Sequence, residues 1–360
     1  MDRGGRRPKV GLVLGAGGVL GGAWTAGALY ALVSETGWDP NDADYIVGTS
    51  AGSVLAALIA GGVPPCLMLP DSAAELFQDL IGPSGALVLA AGRANGNGFP
   101  TLPLPVPGSW RLSVSGIRHP RTEMLRLLTG LLPRGFFSTE PIKSTVRRVV
   151  HSGWVRHPNC WIVACDYTTG ERVAFGQKDA PPADMADAVA ASCAIPGFYR
   201  PVEIGGHHYV DGGLHSMSNV DLLAGLGLDL VICLSPMSTR AQLRSWDPMA
   251  QIAAATRRLG TSRLDREVAK LQAGGTRVLV LEPQADDLAA IGHNVMNARR
   301  RNEVVQLALE TVGKQLRSPA MAADLALIRR RLSSGERRAA RAALREKLLR
   351  PFQRPLTKTA

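Results

Sequence analysis

The chain has 360 residues, 46% of them hydrophobic and 20% charged, a globular composition with enough length for a sizeable core. That balance excludes a disordered chain, a collagen and a coiled coil, and the aromatic share of 5% predicts a core of Ala, Val, Leu and Ile. The formal charge of +11 sits in one place: residues 299–360 hold 16 Lys/Arg against 5 Asp/Glu, while residues 1–298 carry 25 of each sign. The body is therefore neutral and its C-terminal segment basic, so the charge does not point to a nucleic-acid partner. Five cysteines (Cys66, Cys160, Cys165, Cys193, Cys233) show no CxxC spacing and mostly sit among apolar or small residues. They read as small buried hydrophobes, with no disulfide, metal or cofactor expected.

Taken in chain order, short apolar runs alternate with helical stretches, which predicts an α/β fold with a mainly parallel sheet. Val10–Leu14 reads as a buried strand without alternation, as expected where helices cover both faces of the sheet. Gly22–Val33 follows as a helix, then Tyr45–Val47 as a strand and Ala51–Ala60 as a second helix. Val10 to Ser34 and Tyr45 to Pro70 are uncharged and long enough to span a bilayer, but glycines break the first, and glycines with Pro64–Pro65 the second. Strand, turn and short buried helix fit each better. Arg3, Arg6, Arg7 and Lys9 precede an apolar run as in a signal peptide, but the same glycines interrupt it, so a cytoplasmic chain is expected.

Residues 92–116 fall outside this rhythm, with Pro100, Pro103, Pro105 and Pro107 beside Phe99 and Trp110. They read as a long linker or as a lid over an apolar site. Trp161–Cys165 and Arg172–Phe175 predict one hairpin around Asp166–Gly170; Tyr199–Ile204 and His207–Val210 predict another around Gly205–Gly206. Leu230–Leu234 and Val278–Leu281 complete the strands. A body over 1–298 and a basic helical extension over 299–360 are the expected divisions.

The chemistry concentrates in three places. Gly48-Thr49-Ser50-Ala51-Gly52 is a G-x-S-x-G between a buried strand and a helix, the context of a nucleophile elbow. Gly48 and Gly52 relieve the crowding of so sharp a turn, and Ala51 brings its N–H to a helix N-terminus where an oxyanion can be held. A glycine loop, Gly15-Ala16-Gly17-Gly18-Val19-Leu20-Gly21-Gly22, also links a strand to a helix. Its spacing fails the dinucleotide pattern, since Leu20 stands where a glycine is needed, and beside Ser50 it reads better as a row of oxyanion donors. Gly15, Gly17, Gly18 and Ala51 are the candidate donors. For an activating base the residues leave two options: Asp211, which with Gly212-Gly213 ends a strand, or one of His207, His208 and His215.

These three motifs in this order resemble the patatin-like phospholipases, and Ala191–Pro196 through Pro201-Val202 is similar to the stretch preceding that family's Asp motif. The resemblance spans roughly Lys9 to Pro236. It implies a three-layer α/β/α fold and a lipid or acyl-ester substrate cleaved without cofactor by a Ser-Asp dyad. In it Ser50 is the acyl nucleophile and Asp211 the general base, supported by Gly48, Gly52, Gly212 and Gly213. One departure stands out: the family's glycine loop usually carries Arg or Lys just before its last Gly, and here that residue is Leu20. A carboxylate near its ordinary pKa is a weak base, so the dyad further implies a dry apolar cleft around Asp211. A Ser-His-Asp esterase is the rival reading, and a nucleotide-binding or membrane-associated module with a dead site is the rival from another class. In the tail, Leu325, Ile328 and Leu332 form one apolar stripe and Ala340, Leu344 and Leu348 another, with arginines on the other faces. Peripheral contact with anionic lipid is the functional expectation for it, against a plainly solvated helix. The residues carry no signal of oligomeric state.

Overall fold

The computed structural model describes residues 6–68, 135–151, 153–241 and 248–330. The 92–116 segment and the chain beyond residue 330 lie outside them. Eight strands form one sheet: β1 (Val10–Leu14), β2 (Tyr45–Thr49), β3 (Cys160–Asp166), β4 (Arg172–Phe175), β5 (Val202–Ile204), β6 (His207–Asp211), β7 (Leu230–Leu234) and β8 (Arg277–Leu281). Their order is β5-β6-β3-β2-β1-β7-β8, with β4 paired to β3 off that path. The sheet is mixed. β3, β2, β1, β7 and β8 run parallel to their neighbours in that row, whereas β4, β5 and β6 pair antiparallel. The expected parallel character thus holds for one side, and the two expected hairpins form the other.

Along β1, β2, β3 and β7 successive side chains alternate between faces, as a strand requires. Leu12, Leu14, Ile46, Ile162 and Ile232 join one buried cluster, and Val13, Val47, Val163 and Val231 join the other. The first face is covered by α1 (Gly18–Thr36), α2 (Ala51–Ala60), α3 (Glu140–Arg147) and α4 (Met185–Ser192). On the second lie Leu264 and Leu271 of α5 (Pro248–Ala273) and the 220–228 segment. Three layers result, and both faces of the parallel strands are dry, which explains why β1 and β7 are apolar throughout. Cys160, Cys165, Cys193 and Cys233 are free and buried.

Packing does not stop at residue 298. After α6 (Ala285–Ile291), helix α7 (Arg301–Leu316) buries Val304, Val305, Ala308, Val312 and Leu316 in the first cluster, and α8 (Ala322–Arg330) adds Leu325 and Ile328. A Cβ at Gly27 of α1 would stand 2.6 Å from the Val305 carbonyl and 2.9 Å from the Ala308 methyl. The α1–α7 crossing is close because Gly27 has no side chain. The basic residues of α7 hid this apolar face, and the boundary expected at 298/299 is corrected accordingly. Among the described residues no helix is long and apolar enough to cross a membrane.

Candidate active site

Ser50 stands alone between β2 and α2 with φ 53° and ψ −124°, a conformation that L-residues other than Gly rarely adopt. Its surroundings enforce this. A Cβ at Gly52 would lie 2.1 Å from the Leu14 carbonyl oxygen, and one at Gly48 would lie 2.6 Å from the Ser53 Cα. Without side chains at both positions, the first turn of α2 settles onto the end of β1 and the Ser50 side chain projects from the bend. The Ser50 N–H donates to Ser192 Oγ at 2.9 Å, and that hydroxyl donates to the Val163 carbonyl at 2.6 Å. Ser53 donates to the Ser50 carbonyl at 2.6 Å. The strained residue is thus held by the chain on both sides.

Strand β3 brings Asp211 to it. Val163 is registered opposite Thr49 of β2, and Ala164 opposite Asp211 of β6. β4 pairs along 162–165 and overlaps both of these ladders, so it occupies the other edge of β3. β2 and β6 therefore share one edge, one parallel and one antiparallel, and their C-terminal tips meet there. Ser50 and Asp211 are the residues at those tips, and the Ser50 side chain there pulls the Asp211 carboxyl's pKa down. The Gly213 N–H donates to Asp211 Oδ1 at 2.7 Å. A Cβ at Gly212 would lie 2.4 Å from the Val163 carbonyl, so only glycine lets the chain turn away at this point.

Burial pushes the Asp211 carboxyl up from 3.8 to about 6, against the opposing pull of its hydrogen bonds from Ser50 and Gly213. The dry wall includes Cys193, whose thiol lies 3.7 Å from Ser53 Oγ and is itself pushed up by burial and by the Asp211 charge.

The glycine loop lies beside them, with Gly22 facing the Ala51 methyl: a Cβ there would be 3.3 Å away. The N-termini of α1 and α2 converge, two positive helix ends at one point. Of the candidate donors, Gly15 is corrected: its amide is committed to the Leu234 carbonyl at 2.9 Å, as the Ala16 amide is to Met217 at 2.8 Å. Both extend the strand pairing past the end of β1. Gly17 caps α1 with extended φ, Gly18 follows at φ 60°, and Ala51 opens α2. Among the described residues no backbone acceptor is recorded for the amides of Gly17, Gly18 and Ala51. Leu20 is fully buried and donates its amide to the Val295 carbonyl at 2.8 Å, so its side chain packs in the core.

The histidines are elsewhere. His207 is exposed, 3.5 Å from Asp166, and His215 Nε2 meets Arg263 at 2.9 Å. Two contributors were assigned no role in the sequence. Ser192, inside the Ala191–Pro196 stretch, is one. Asn219 is the other: buried with φ 56°, it donates to Thr49 Oγ1 at 3.1 Å and to the Ser216 carbonyl at 2.6 Å, tying the end of β2 to the loop after Asp211. Among the described residues no group of three His, Cys, Asp or Glu could hold a metal ion.

Compared with known proteins, the chain is similar to the solved structure of VipD from Legionella pneumophila, at 14% identity and a TM-score of 0.35, over 85% of this chain and 67% of that one. A family model described as patatin-like phospholipase matches residues 12–224, a span that contains the glycine loop, Ser50 and Asp211. The chain belongs to the patatin-like phospholipase family.

Proposed function

We propose that this protein is a lipid acyl hydrolase that cleaves carboxylic esters through an acyl-enzyme on Ser50, with Asp211 as its base. The observation that carries the reading is the register on β3, which brings Ser50, held at a strained turn, to the tip of the strand that ends in the buried Asp211 carboxylate, whose pKa is lifted to about 6. Near neutral pH such a group is ionised yet basic enough to receive a proton.

In the first half-reaction Ser50 Oγ attacks the ester carbonyl carbon as its proton passes to Asp211. The carbonyl oxygen becomes an oxyanion, met by the amides of Gly17, Gly18 and Ala51 and by the N-terminal ends of α1 and α2. Collapse of the tetrahedral intermediate breaks the bond to the alcohol, which leaves with the proton from Asp211. Water then attacks the acyl-serine as Asp211 takes its proton, and that proton returns to Ser50 as the fatty acid departs. The Gly213 N–H holds the carboxylate in one orientation throughout.

A fluorophosphonate probe tests the reading. Wild type is expected to label, Ser50→Ala to stay unlabelled, and Asp211→Asn to label slowly. A folded wild type that does not label refutes it.

A further inference from the structure

Four large hydrophobic side chains are exposed among the described residues, and three of them (Met249 at 55%, Ile252 at 61%, Leu259 at 73%) belong to α5. Exposed apolar side chains scattered singly are ordinary, but these are not scattered. Their spacing of three and seven residues puts them on one face of the helix. In the N-terminal half Ala254 and Arg257 turn inward and are buried, and further along Leu264, Glu267 and Leu271 are buried too. Helix α5 is amphipathic toward the core and again apolar on its outside, along its N-terminal half.

That half is fastened to the rim of the candidate active site. Arg257, 3% exposed, donates to the Pro236 carbonyl, and the Pro236 ring lies where Cβ atoms of Gly17 and Gly21 would be, at 2.8 and 3.2 Å. Gly260 lies on the Met237 carbonyl, where a Cβ would be 2.8 Å away, and the Thr239 N–H donates to Thr261 at 3.0 Å. The outward stripe is thus on the far side of the same helical turns that back the glycine loop. The charge beside it is positive: Arg258 is exposed next to Leu259, and residues 248–262 contain no Asp or Glu.

We propose that the outer face of the N-terminal half of α5 is the surface by which this protein docks on an anionic lipid layer. Ile252 and Leu259 enter the interface and Arg258 meets the headgroup phosphates. The occupant is a lipid surface because apolar side chains, a flanking cation and a missing acidic residue are together what such a layer recognises. This rests on the reading of Ser50 as a lipid hydrolase and deepens it, since it names an aggregated lipid as the form in which substrate is met.

The test separates docking from catalysis. Full-length protein carrying Ser50→Ala, which leaves the lipid intact, is sedimented with vesicles of phosphatidylcholine and phosphatidylglycerol in equal parts. Adding Ile252→Ser and Leu259→Ser is expected to lower the partition coefficient about a hundredfold, roughly tenfold for each aliphatic side chain kept in water. Arg258→Gln is expected to weaken binding to these vesicles and not to pure phosphatidylcholine. An unchanged melting midpoint certifies the fold of each variant. Partition that ignores the double substitution overturns the proposal. So does a wild-type dimer that Leu259→Ser dissociates, which would make the stripe a contact between copies. Failure of the active-site reading would show separately, as absent hydrolysis of a soluble monomeric ester by wild type.

Discussion

Replacing Asp211 by asparagine should stabilise this protein while destroying its activity. Burial raises the Asp211 carboxyl from 3.8 to about 6, which corresponds to about 3 kcal/mol of differential interaction. The sign follows from linkage: a folded-state pKa above the unfolded value means the native state holds the proton more tightly. Below pH 3.8 both states are protonated and folding pays nothing for a buried charge. As pH rises through the interval from 3.8 to about 6 the native state loses that advantage, and above it the ionised carboxylate destabilises the fold in full. The amide is neutral throughout, keeps a carbonyl oxygen for the Gly213 N–H, and offers Nδ2 to the Ser50 oxygen. At pH 8 Asp211→Asn should therefore melt about 5–10 °C above wild type, a gap that closes as the pH falls toward 4. Ester hydrolysis should fall about 10²–10⁴-fold for want of a base, and wild-type kcat/KM should rise with pH through an apparent pKa near 6. Scanning calorimetry across the pH series, beside hydrolysis of a soluble ester, measures both. A variant no more stable than wild type at pH 8, or a gap that does not change with pH, would refute the burial argument.

Gly52→Ala forces a methyl into the Leu14 and Gly15 carbonyls, at 2.1 and 2.7 Å, where no side chain can rotate away. The start of α2 must move by about 1 Å, so hydrolysis should drop about a hundredfold; wild-type rates would contradict the close approach. Ser192→Ala leaves the buried Ser50 N–H without an acceptor and should cost about 1–3 kcal/mol in a urea titration. His215→Ala and His207→Ala should retain hydrolysis, and loss of activity in either would revive a histidine base. Termination after residue 298 removes Val304, Val305, Ala308, Val312 and Leu316 from the core, more than the marginal stability of about 5–15 kcal/mol tolerates, so no cooperative melt is expected.

The candidate site was more legible in the sequence than the boundary. Ser50 could be found because the turn it occupies demands small residues at fixed offsets, and Gly48 and Gly52 are those residues. Asp211 could be found only through the order of three motifs, since an Asp-Gly-Gly turn alone is common. What places it is a register on β3, and register between strands far apart in sequence leaves no local trace. The roles of Ser192 and Asn219 could not be read for the same reason: they act across 142 and 170 residues respectively, and neither type is rare. Gly15 misled because it stands in the right loop, but its amide belongs to the strand it ends rather than to the helix that follows. The charge of residues 299–360 concealed α7, whose Val304, Val305 and Val312 are buried in the core against α1.

On the proposed reading, the architecture accounts for a carboxylate serving where a histidine would otherwise be needed. Parallel strands deliver helix N-termini to one end of the sheet, and β1 and β2 deliver two of them, α1 and α2, side by side. That end favours negative charge, which suits an oxyanion but would also hold a nearby carboxylate ionised and weakly basic. Asp211 escapes this because it arrives on an antiparallel strand, descending the same edge of β3 until it meets the tip of β2. There it sits against Cys193, Ala164 and the backbone of Val163 rather than in the loops above, and desolvation outweighs its two hydrogen bonds. A mixed sheet thus separates two opposite electrostatic demands by a single interstrand contact. In the proposed mechanism the donors come from the parallel side, the base comes from the antiparallel side, and Ser50 stands between them.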